Sequence, residues 1–208
     1  MRPGTVLKRQ RMLDGAAACF FRQGYDGTSI TDIIEQTGGS RGTIYSLFGS
    51  KRGLFEALIQ DRLERIRPTS PLAGKRLHLA ATLVDIADQL LGFVTAKEWL
   101  DLVQLVLPQV PRESDLGVFI YDAGIAPIEA ELHAYFTDWR WIADSQSARP
   151  EDLYAAFSGL VVADLPLRLL AGVAAPPSGG ARRQHLERAV SSFLLIAGPL
   201  ASAGVAGT

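Results

Sequence analysis

The residues best equipped for chemistry lie close together, in the run from Ser40 through Arg41, Gly42, Thr43, Ile44, Tyr45, Ser46 and Leu47 to Phe48, with Lys51 just beyond it. Arg41, Thr43, Tyr45 and Ser46 carry hydrogen-bonding groups of the kind that contact phosphate oxygens and base edges. On a helix capped by Ser40 they project outward, while Ile44 and Phe48 turn back toward a supporting core. Gly42 lets one backbone approach another closely. Lys51 opens the next helix, where a cation beside free backbone amides makes a site for a phosphate. The chemistry expected is a noncovalent grip on a polyanion. Taken singly, each of these polar residues would also suit a solvated surface.

Covalent and metal chemistry find less support. The three histidines, His78, His133 and His185, stand far apart without a repeated ligand spacing. Glu129 and His133 share a helix face at i and i+4, yet no Glu-x-x-His pair recurs as a di-metal bundle requires. The single cysteine, Cys19, removes an internal disulfide, Cys-x-x-Cys redox chemistry and a thiolate-rich zinc site. Its place on the apolar face of the first helix suits a small core residue. The expectation is a protein that is not an enzyme and uses no metal or cofactor.

Composition agrees. With 208 residues, 48% of them apolar, the chain can bury a core as one domain or two unequal ones. The net charge of −1 hides an asymmetry: residues 1–68 hold eleven basic groups against seven acidic, and the remainder ten against fifteen. A basic head on an acidic body fits a polyanion-facing module joined to something with another task. Arg2, Lys8, Arg9 and Arg11 are followed by no uninterrupted apolar run before Asp14, so no secretory leader is expected. The most apolar stretch, 160–175, is interrupted by Asp164, Pro166 and Arg168, which argues against a bilayer crossing. A soluble, cytoplasmic protein without a membrane partner is the expectation.

The elements that position these groups read as helices throughout, because no segment alternates apolar and polar residues as a half-buried strand does. The fold class is all-α, with about nine or ten helices. A first helix over 6–23 places Met12, Leu13, Ala16, Cys19 and Phe20 on one face, and Gly24 stops it. Thr28 or Ser29 caps a short helix carrying Ile30, Ile33 and Ile34 inward. Gly38 and Gly39 end it, the helix from Ser40 follows, and a longer helix runs over 51–67. Further helices are expected over 74–94, 97–109, 114–123, 127–142, 151–171 and 181–198. Pro127 would sit at a helix start, and Pro166 would kink the helix that contains it. Two helices of about seven residues cannot hold themselves, since nucleation is costly, so the flanking helices must support them. The arrangement is a helix-turn-helix over 28–48.

Residues 12–58 resemble the DNA-binding domain of the tetracycline-repressor (TetR) family. The resemblance rests on Met12, Leu13, Ala16, Phe20, Gly24 and Tyr25; on Thr28, Ser29, Ile30, Asp32 and Ile33; on Gly38, Ser40, Gly42, Thr43, Ile44, Tyr45 and Phe48; and on Ser50, Lys51 and Leu54. It implies that Thr28, Thr43, Tyr45 and Lys51 bind phosphates and that Arg41, Gly42 and Ser46 lie nearer the bases. Gly15 stands where the family usually has Ala, and Gly39 where it usually has a β-branched residue, which implies looser helices. Leu47 replaces an aromatic or His, and with it one phosphate contact.

The resemblance further implies a DNA-binding domain over 1–50, a connecting helix over 51–68 and an effector-binding and dimerisation domain over 69–208. The stretches 99–111 and 119–124 resemble the AefR-like C-terminal group. The aromatic-rich set Trp99, Val103, Phe119, Tyr121, Phe136, Trp139 and Tyr154 could wall a pocket for an apolar or aromatic effector, or simply fill the core. Leu153, Phe157, Leu160 and Val161, with Leu186, Val190, Phe193, Leu194 and Ala197, are expected to pair with a twofold mate as a four-helix bundle. The function implied is a regulator, in the commoner mode a repressor, released from a palindromic operator by its effector. A helical interaction module that no longer binds DNA is the alternative, kept open by Gly39 and Leu47.

Overall fold

The computed structural model describes residues 3–67, 79–137 and 149–197, and among these every regular element is helical. In chain order they are α1 (Pro3–Gly27), α2 (Ile30–Thr37), α3 (Arg41–Phe48), α4 (Lys51–Ile66), α5 (Leu79–Val94) and α6 (Lys97–Val106). A 3-10 turn (Leu107–Gln109) follows, then α7 (Ser114–Thr137), α8 (Pro150–Val162), α9 (Leu165–Leu170) and α10 (Gly179–Ile196). Two compact units emerge: Met1–Ile66 with Lys97–Ala123, and Arg67–Ala96 with Gly124–Thr208. In the first unit α6 packs on α1 and α4.

The first unit forms because α1, α4 and α6 all pack on one another's apolar faces. Met12, Leu13, Ala16, Cys19 and Phe20 are buried along α1, and Leu54, Phe55, Leu58 and Ile59 along α4. Phe20, Tyr25 and Phe55 stack as a three-ring cluster with centroids 4.6 to 5.7 Å apart. Gly24 breaks α1 with φ 75° and ψ 172°, a conformation open to glycine, and so turns Tyr25 back onto that cluster.

Gly15 is not a loosening of α1. A Cβ there would fall within the contact distance of the Thr37 Cγ2 methyl, so the missing side chain is the space into which the end of α2 packs. Gly39 behaves alike, since its Cβ would lie 2.7 Å from Met12 Cε. Gly15→Ala should therefore cost about 1–2 kcal/mol by overpacking. In a Thr37→Ser background, which removes the methyl and keeps the hydroxyl that bonds Ile33 O at 2.8 Å, the same change should gain about 0.5–1 kcal/mol of helix propensity. Thermal unfolding of the three variants measures both signs.

The second unit is built by α5, α8 and α10 in mutual contact. Its centre is Phe136, Phe157 and Phe193, all fully buried, with ring centroids 5.2 to 5.8 Å apart. Two expectations about proline fail here. Residues 114–137 form one helix with Pro127 inside it, not two helices with a break before it. The single backbone bond lost at Pro127 is outweighed by apolar side chains buried on both sides, Leu116 and Ile120 before it and Leu132 and Phe136 after. The helix expected over 151–171 does not kink at Pro166; it breaks earlier, at Ala163 (φ 47°, ψ −135°). Starting α9 at Leu165 places Pro166 in a first turn, where no N–H is needed.

Candidate nucleic-acid interface

The interface is assembled from short-range signals. Ser29 and Asp32 close a capping box on α2: Asp32 N donates to Ser29 Oγ (3.1 Å) and Ser29 N to Asp32 Oδ2 (2.7 Å). Hydrogen bonding from Ser29, its backbone N–H first, holds the Asp32 carboxyl below its usual pKa. Stability from this contact is thus present above the ordinary carboxylate range and lost as pH falls through the lowered value. Gly38 then ends α2 in the left-handed region (φ 68°, ψ 21°), returning its N–H to Ile34 O at 2.8 Å. Ser40 caps α3 by accepting from Thr43 N (3.2 Å), and Ser50 caps α4 by accepting from Gly53 N (2.9 Å).

On α3, Ile44 is wholly buried while Tyr45 is 50% exposed, and Arg41, Gly42 and Ser46 are exposed. Thr43 is half-buried, its hydroxyl 3.0 Å from Ser40 Oγ. Arg41 Nη2 donates to Thr31 Oγ1 (3.0 Å) on α2. Lys51 lies 4.3 Å from the centroid of the Tyr25 ring. Burial lowers its pKa from the usual value, and Asp26, Glu113 and Asp32 pull it back up.

Two expected roles are corrected. Thr28 is only 1% exposed, its hydroxyl donating to Gly24 O (2.8 Å) and its N–H to Tyr25 O (3.3 Å), so it stabilises the Gly24 turn and offers no free group to a phosphate. Gly42 permits no close approach within the chain, since a Cβ there meets only Ser40 Oγ at 3.9 Å. The glycine that serves that purpose is Gly53, whose Cβ would collide with the Phe48 carbonyl oxygen where α3 hands over to α4. Arg52 was also unforeseen. Its guanidinium bonds Glu56 (2.6 Å), Glu113 (2.5 Å) and Asp115 (2.8 Å), and Arg112 bonds Asp26 (2.6 Å). Burial alone would lower the Arg52 pKa, but the three carboxylates outweigh it and raise it. Together these pairs fasten the turn at 112–115 to the start of α4 and the end of α1, the helices that flank the helix-turn-helix.

The residues expected to wall a pocket are divided between the two units. Trp99, Val103, Phe119 and Tyr121 belong to the first unit, and Phe136 and Tyr154 to the second. Trp99 is buried and Tyr121 exposed; Phe136 sits in the three-phenylalanine core, and Tyr154 lies against the His133 ring at 4.9 Å. Trp139 lies outside the described residues. The second unit holds a cavity of about 20 Å³ bounded by Ile86, Gln89 and Leu90 of α5 and Pro127, Ile128, Glu131 and Leu132 of α7, with Arg67. Most of the stripe expected to face a twofold mate is buried inside the protomer. Leu153, Phe157, Val161, Leu186, Val190, Phe193 and Ala197 are buried in this one chain, and Leu160 and Leu194 are half-buried. Both helices turn their amphipathic stripes inward, toward α5 and each other.

A capped short helix, a left-handed glycine turn and a second short helix with its polar face outward define a helix-turn-helix DNA-binding protein. Residues 12–58 match the model of bacterial regulatory proteins of the tetR family, and residues 81–196 match the AefR-like transcriptional repressor C-terminal domain. The chain belongs to the TetR family of transcriptional regulators. These families are regulators, not enzymes. The chain is 28% identical over 172 residues to the HTH-type transcriptional repressor Rv1474c of Mycobacterium tuberculosis, covering 80% of this chain and 84% of the relative. It is 27% identical over 165 residues to the repressor AcnR of Corynebacterium efficiens, covering 79% and 74%. Among solved structures, the flavonoid-responsive regulator FrrA superposes with a TM-score of 0.79 at 25% identity, covering 91% and 96%. A TetR-family regulator from Mesorhizobium loti superposes with 0.77 at 22%, covering 94% and 98%.

Proposed function

We propose that this chain is a cytoplasmic repressor that binds a near-palindromic operator as a homodimer and leaves it when a small apolar or aromatic effector binds. The observation that carries the DNA half is the exposure on α3 of Arg41, Tyr45 and Ser46 over a wholly buried Ile44. In this reading Ser40, Thr43, Tyr45 and Lys51 grip phosphates, and Arg41, Gly42 and Ser46 face base edges. Two copies of α3 about 34 Å apart would read successive major grooves.

For the twofold contact, the faces of α8 and α10 opposite the core are the better candidates. Ala155, Gly159, Ser191 and Leu195 are exposed there, Leu195 to 84%, and Val162 is half-buried. The segment Pro150–Leu170 is apolar enough by length and composition to cross a membrane, yet only 17% of its apolar window is buried. A partner copy laid on this face explains an apolar, small-residue helix left bare in the monomer.

For the effector, the cavity between α5 and α7 is the place to enter. Its Ile86, Leu90, Ile128 and Leu132 are apolar, and its present volume of about 20 Å³ suits one water, so a ligand must widen it. The resemblance to a flavonoid-responsive regulator favours an aromatic effector. A ligand that binds better to the widened form shifts the population away from the DNA-competent one. Titrating the operator complex with a panel of flavonoids and simpler aromatics tests this. Release by at least one, with a matching loss of its affinity in Ile128→Trp, is expected; operator affinity unmoved across the panel would defeat the effector half.

A further inference from the structure

We infer that Thr31 is a positioning residue for base recognition: it aims the Arg41 guanidinium from the neighbouring helix α2, so that Arg41 reads a guanine. The inference rests on the proposed placement of Arg41 beside the bases. Arg41 is the first residue of α3 and is exposed, and a free arginine there would sample many rotamers. Its Nη2 instead donates to Thr31 Oγ1 at 3.0 Å. Thr31 is itself fixed, one residue before the Asp32 that closes the α2 capping box and one residue after Ile30, the first of the helix.

One Nη2 hydrogen satisfies the threonine. The second Nη2 hydrogen is parallel either to one on Nη1 or to the Nε hydrogen, and in both cases the pair is a fork that matches the O6 and N7 acceptors of guanine in the major groove. Adenine, with a donor at N6, and both pyrimidines lack that pair of acceptors. Holding the side chain before DNA arrives removes part of the ordering cost of the contact. The specificity is therefore written on two helices: α3 supplies the reading group and α2 sets its direction.

The experiment is a selection of bound fragments from randomised duplex DNA by the full-length protein and by Arg41→Ala, Thr31→Val and Thr31→Ser. Arg41→Ala is expected to lose the preference for guanine at one position of each half-site by about tenfold or more. Thr31→Val, equal in shape but without the hydroxyl, should weaken discrimination at that same position by about threefold to tenfold while preferences elsewhere stand; Thr31→Ser should restore it. Thr31→Val with the wild-type preference at the position that Arg41→Ala relaxes overturns the inference and leaves the DNA-binding reading intact. A wild-type protein that enriches no sequence overturns both. Equal loss at every position in Thr31→Val also overturns it, because that is the mark of a merely structural threonine.

Discussion

Truncating Phe55 to alanine is expected to lower the stability of the protein by about 3–5 kcal/mol. Phe55 is wholly buried on α4 and touches both other rings of its cluster, Phe20 at 5.1 Å edge-on and Tyr25 at 4.6 Å. Its loss leaves a hole behind the helix-turn-helix, and it frees Tyr25, over which Lys51 lies. Because α2 and α3 have eight residues each, they hold their shape only while this support stands. Operator binding should therefore fall along with the unfolding midpoint. Phe55→Leu, which keeps most of the volume, should lose about 1.5 kcal/mol or less and retain binding at low temperature. Denaturant titrations of the two variants measure it. A loss below about 1 kcal/mol for Phe55→Ala would mean that the ring cluster is not the support.

The second large effect is expected at the twofold face. At Gly159, exposed on α8, a Cβ meets nothing within 4 Å, so an arginine there can leave the backbone without displacing a neighbour at its Cβ. Placed across the proposed contact of α8 and α10 with a second copy, an arginine costs the dimer dearly, since a buried charge without a partner is unfavourable. Linking two half-site contacts raises affinity by about 10²–10⁴-fold, so a monomeric variant should lose operator affinity by that order. Sedimentation should show a monomer with unchanged helical content. A Gly159→Arg protein that remains dimeric with full affinity would place the twofold contact elsewhere.

Much of this was legible in the sequence because the informative signals are local. Ser29 with Asp32, Ser40 and Gly38 each mark a helix end through bonds that span three or four residues, while Gly24 breaks α1, which resumes as far as Gly27. What a sequence stretch cannot state is which neighbour buries a given face. The stripe of Leu186, Val190 and Phe193 announces an inward side of α10, but its burial by α5 and α8 of the same chain depends on pairings far along the sequence. The true outward side, with Ser191 and Leu195, reads as ordinary surface. The aromatics suggested a pocket for the same reason: Phe136 is at home either in a cavity wall or among Phe157 and Phe193, and only the fold chooses.

Long-range charge is similarly hidden. Arg52 and Glu56 are an obvious i, i+4 pair, but Glu113 and Asp115 are 61 and 63 residues away. Thr28 shows the opposite failing, where a threonine that resembles a phosphate ligand is used up by the Gly24 carbonyl four residues before it. Gly15 and Gly39 show that a missing side chain marks a close approach when the neighbour's methyl fills its place.

The most direct test of the central claim is operator affinity across a salt series for the wild-type protein and Tyr45→Phe. A recognition helix seated on phosphates predicts that the logarithm of affinity falls linearly and steeply with the logarithm of salt, by about 0.9 for each phosphate neutralised. Loss of the Tyr45 hydroxyl, a neutral donor, should weaken binding by about 0.5–1.5 kcal/mol with the slope unchanged. Binding indifferent to salt, or a Tyr45→Phe protein with wild-type affinity at every concentration, would contradict the account.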